Sequence, residues 1–104
     1  MTITLRIQAS KLERVIKIIE EKLNAIEKEL KETKHKLQAY EEKYGVTTSQ
    51  LLEMLQGKQE WKLPDNADID IVEWEALAHI HEKLVKEQKL LEETKQLITK
   101  QTTQ

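Results

Sequence analysis

The chain has 104 residues, 35% of them charged and 38% hydrophobic, and its formal charge of −2 is spread over interspersed acids and bases, so no broad basic field exists to hold a phosphate backbone. With no Cys, disulfide scaffolds and thiolate chemistry are excluded, and two Gly with one Pro admit few sharp turns, so the elements must be few and long. No apolar run approaches the roughly 20 residues of a membrane span, and no signal pattern opens the chain, so a cytoplasmic protein without a membrane partner is expected.

Residues 1–8 alternate, with Ile3, Leu5 and Ile7 on one side and Thr2, Thr4 and Arg6 on the other. Period two with β-branched residues predicts a short strand. In an otherwise helical chain such a strand needs a ladder from a second copy or another molecule, which makes Ile3, Leu5 and Ile7 candidate partner-binding residues. This strand, followed by a capped helix, resembles the opening of ribbon-helix-helix DNA-binding proteins. That resemblance implies that Thr2, Thr4 and Arg6 would form the polar face entering the major groove. It stops where the following heptads outrun the short first helix of that family.

Ser10 with Glu13 has the form of a capping box, which predicts a helix over 10–44. Leu12, Ile16, Ile19, Leu23, Ile26, Leu30, Thr33, Leu37, Tyr40 and Tyr44 follow at alternating spacings of four and three, a heptad seam without a slip. Gly45 closes that helix. Thr47 with Gln50 is a second capping box, and Val46 with Leu51 is a hydrophobic staple, so a short helix is expected over 48–56, stopped by Gly57. The segment 57–69 contains Pro64 and Asp65-Asn66 and reads as a loop, pinned by Trp61 and Leu63.

Asp70 with Glu73, a third capping box, and Ile69 with Trp74, a second staple, predict a last helix over 70–100, followed by a tail at 101–104. Its stripe runs through Trp74, Leu77, Ile80, His81, Leu84, Gln88, Leu91, Thr94, Lys95 and Ile98, widened by Val85, Leu90 and Leu97. Thr33 and Thr94 are expected to face one another. The fold class is therefore all-α: one domain, a long helical hairpin or coiled coil with a short N-terminal β-strand and a small helix in the connection. Two helices cover only part of each stripe, so a homo-oligomer or a partner protein is expected to complete the burial.

No phosphate loop, nucleophile elbow or acid-base set is present, so no enzyme and no cofactor is expected. His79 and His81 point roughly opposite ways on a helix, so no metal site is expected either. Glu27 with Lys31 and Glu32 with Lys36 read as surface ion pairs. The aromatic residues Tyr40, Tyr44, Trp61 and Trp74 gather toward one end of the hairpin and are candidate anchors for a partner.

The run Glu41-Glu42-Lys43-Tyr44-Gly45-Val46-Thr47, a short helix ending at Gly57, an acidic loop and Glu73-Trp74-Glu75 together resemble small helical antitoxins of prokaryotic toxin–antitoxin pairs. The resemblance covers about 12–92. It implies a module that binds a cognate toxin and occludes its active site, with no catalytic residues. Trp61 and Pro64 depart from the purely acidic loop more usual in that group. The alternatives that the residues leave open are a structural coiled-coil scaffold and a DNA-binding autorepressor acting through the strand.

Overall fold

The computed structural model describes the backbone of residues 2–102 and the side chains of 9–101. Helix α1 spans Thr2–Tyr44, α2 spans Thr48–Leu55, and α3 spans Asp68–Thr102 after a 3₁₀ turn at Asp65–Ala67. The fold is all-α, the two long helices packed as a hairpin with the short helix between them. There is no strand among the described residues, and no helix among them is long and apolar enough to cross a membrane.

The expected strand at 1–8 is replaced in the backbone by helix from Thr2. Three alternating residues are too few to specify a strand: Ile3 and Ile7 also lie one helical turn apart, and the four-three spacing continues backward from Leu12 through Ala9 to Leu5. The side chains of Ile3, Leu5 and Ile7, and of Thr2, Thr4 and Arg6, lie outside the described residues. Ser10 is an exposed residue inside the helix and caps nothing. Further along, the heptad reading holds in full, since all ten seam positions from Leu12 to Tyr44 are buried or half-buried.

The described residues form two compact units, one of residues 30–83 and one that brings 2–29 together with 84–102. In the first unit the helices run antiparallel around a core of Leu37, Leu51, Met54, Leu63, Ala67, Ile71, Trp74 and Ala78. The connection is held at both ends. Gly45 and Gly57 adopt φ of +69° and +76°, the left-handed conformation that ends a helix and strains a side chain. Between them the Thr47 hydroxyl accepts from the Gln50 N–H at 3.0 Å, and the Gln50 side chain accepts from the Thr47 N–H at 2.8 Å, completing the expected capping box. Val46 packs on the same core as Leu51.

The entry to α3 differs from the expectation. Ala67 N–H donates to the Pro64 carbonyl at 3.1 Å, and this 3₁₀ turn leads into α3 at Asp68, so Asp70 stands within the first turn and not at its cap. Ile69 points to solvent instead of stapling Trp74. Leu63 is buried and pins the loop, whereas Trp61 is half-exposed and is absent from the core.

In the second unit Ile19 and Ile26 of α1 and Leu84 of α3 are buried, and Lys95 pairs with Glu20 at 3.4 Å. Val85, Leu90 and Leu97 do not widen the buried stripe; they are exposed. Thr94 does not face inward, and its hydroxyl donates to the Leu90 carbonyl one turn back at 2.9 Å.

The two tryptophans thus separate cleanly. Trp74→Ala should lower unfolding stability by about 3–5 kcal/mol, the usual cost of emptying a large core site. Trp61→Ala should stay within ~1 kcal/mol of the parent. Urea unfolding followed by far-ultraviolet circular dichroism measures both, and equal losses would contradict the core assignment.

Candidate interaction surface

Of the four aromatic candidates, the structure brings three together. Tyr40 and Tyr44, one turn apart on α1, both stack on the Trp74 indole, with ring centroids at 5.6 and 5.8 Å and interplanar angles of 18°. Trp74 is completely buried, and its indole N–H donates to the Thr48 hydroxyl at 3.0 Å. The Thr48 backbone N–H in turn donates to the Glu41 carboxylate at 2.6 Å. One residue at the start of α2 therefore ties α1 and α3 together, and each stacked pair adds roughly 0.5–1.5 kcal/mol beyond burial. Trp74 is an anchor of the fold, with no surface offered to a partner.

The outer edge of this cluster is polar. The Tyr44 hydroxyl donates to Asp70 Oδ2 at 2.5 Å, and Lys43 Nζ reaches the same oxygen at 2.7 Å. Lys43 foremost, then Tyr44, holds the Asp70 carboxyl below the usual carboxylate range. Burial, reinforced by a hydrogen bond to Glu73, pushes the Tyr40 phenol up to about 12. Asp70, expected to cap α3, instead accepts from Tyr44 of α1, a use that local spacing cannot reveal.

Beside the cluster lies an open groove of about 490 Å³ lined by Leu37, Glu41, Thr48, Leu52, Ala78 and His81, among others. Its lining mixes apolar Leu37, Leu52 and Ala78 with polar and charged side chains. His79 is exposed and lies 3.5 Å from Glu75 one turn earlier, and no group of three metal-ligating side chains occurs among the described residues.

The more telling surface is the far side of α3. In the unit of residues 30–83, the core-facing positions of α3 are Ile71, Trp74 and Ala78. Ile69, 84% exposed, and Val72, 71% exposed, are followed by exposed Ala76 and Ile80 at helical spacing. At roughly 100° per residue these four fall within about 80° of arc, on the side of the helix away from its own core. In the other unit, α3 exposes Leu90 at 64% and Leu97 at 63%, two turns apart on one line. Ile80, Leu90 and Leu97, expected in the buried stripe, are exposed instead, and the buried stripe begins before Trp74, since the four-three spacing runs back through Ile71 to Ala67.

Comparison with protein-family models, with curated proteins and with solved structures returns no match.

Asp70 provides a pH test of the latch. Its folded pKa is depressed, so its stabilisation is present above the unfolded value near ~3.9 and is lost as pH falls through the folded value. Asp70→Asn should therefore be less stable than the parent near neutrality, with the gap closing as the pH is lowered below about 4. Urea midpoints measured across that range check this. A gap that stays constant with pH would exclude the carboxylate as the stabilising group.

Proposed function

We propose that this chain is an antitoxin-like protein-binding module, which neutralises a cognate toxin by covering its active site. The observation that carries the reading is the second apolar face of α3. A helix packed on one side against its own chain is ordinarily charged on the other. Here Leu90 and Leu97 in one unit, and Ile69 and Val72 in the other, stand in water. Large exposed apolar residues grouped on one line of a helix mark a surface that another protein covers.

The class of partner comes from the resemblance carried by Glu41 to Thr47 and by Glu73-Trp74-Glu75. A slightly acidic chain also suits a basic partner of the kind that handles RNA or nucleotides. Long helices supply an extended contact line, which suits occlusion of a groove.

A structural coiled-coil oligomer is the second reading, favoured by the unbroken heptad seam of α1, and in that case the exposed residues serve only self-assembly. The DNA-binding alternative loses its footing, because α1 is helical from Thr2 and gives Thr2, Thr4 and Arg6 no strand to sit on.

Co-expression of the tagged chain with the product of its adjacent gene tests the proposal. A defined complex in which the neighbour's toxicity is suppressed is expected, and Leu90→Asp with Leu97→Asp should abolish it while leaving helix content intact. A neighbour that is harmless alone, or that never associates with the chain, would leave the scaffold as the better account.

A further inference from the structure

We infer that the outward face of α3 at Ile69, Val72, Ala76 and Ile80 is covered by the same face of a second copy of this chain, packed antiparallel about a two-fold axis. This rests on the reading that the outer side of α3 binds protein, and it names the partner of that stretch. Two independent features of the face are self-complementary.

The first is size. In an antiparallel pairing centred near residue 74, Val72 meets Ala76 of the second copy, and Ile69 meets Ile80 to within one residue. A large residue at each end and a large-on-small contact on either side of the axis let the helices approach closely and interdigitate. A two-fold interface repeats every such contact twice.

The second is charge. Exposed Asp65 and Asp68 flank the Ile69 end, and exposed His79 and Lys83 flank the Ile80 end. Antiparallel pairing sets Asp65 near Lys83 of the second copy, with Asp68 beside its His79. Parallel pairing would set Asp65 and Asp68 against the same acids and Lys83 against Lys83, which disfavours that arrangement. The contact line is short, about three turns from Ile69 to Ile80, so the dimer it makes is concentration-dependent.

The chain contains no Cys, so engineered thiols report this register directly. A chain carrying both Ile69→Cys and Ile80→Cys should form a covalent dimer on mild oxidation. Either single substitution should not, because the two equivalent positions then lie roughly 16 Å apart along the axis. Sedimentation equilibrium should show twice the 12.3 kDa chain mass for the parent at high concentration. Val72→Asp should weaken the association by roughly tenfold or more, since it buries an unpaired charge. A parent that stays monomeric, a Val72→Asp chain that dimerises as well as the parent, or cross-linking by Ile69→Cys alone would overturn the proposal. If the monomeric chain still captures and silences its neighbour, the antitoxin reading survives without the dimer; if it does neither, both fail.

Discussion

The seating of Trp74 is the constraint on which the rest of the unit of residues 30–83 depends. Its indole occupies the space between Tyr40, Tyr44 and the short helix, and its N–H finds the Thr48 hydroxyl, so its one polar atom is satisfied in an otherwise apolar site. Because Thr48 also donates its backbone N–H to Glu41, the start of α2 is fixed to both long helices at once. The chain has no Phe and only two Trp, so few other residues could fill that volume. The two glycines that bracket the connection and the Thr47–Gln50 box then deliver α2 to this position with little conformational freedom left.

Seating Trp74 inward also determines the rotation of α3. Once Ile71, Trp74 and Ala78 face the core, Ile69, Val72 and Ile80 must face away, since helical geometry allows no other outcome. The fold thus leaves apolar residues in water at places where a stable monomer would gain from Lys or Glu. The same packing that makes the hairpin creates the outward face. The acids around that face also divide in their use: Asp70 is engaged by Tyr44 and Lys43 at the hairpin's edge, while Asp68 lies exposed beside the stripe.

Much of this was legible in the residues, and the failures have physical causes. The seam of α1 could be read position by position because a repeated four-three spacing has no alternative solution over so many turns. The box at Thr47 and Gln50 was legible because its partners are local. The opening strand fails because three alternating residues fit a helix almost as well, and no second strand exists among the described residues to favour pairing. The box at Asp70 and Glu73 fails because Asp70 has its partners, Tyr44 and Lys43, on α1, and spacing alone cannot distinguish a cap from a tertiary hydrogen bond. Ile80, Leu90 and Leu97 were assigned to the core because apolarity was equated with burial, an inference that fails wherever a helix carries two apolar faces.

The most direct test compares two adjacent residues on opposite faces of α3. Thermal or urea unfolding of dilute protein should show Ile71→Ala losing about 2–5 kcal/mol. Val72→Ala should stay within ~0.5 kcal/mol of the parent, since an exposed position surrenders no packing and Ala is the better helix former. That result would show one face holding the chain together and the other contributing nothing to its own packing. Equal losses at both positions, or a larger loss at Val72, would mean that the outer face belongs to the chain's own core, and the account of α3 as a two-faced helix would fail.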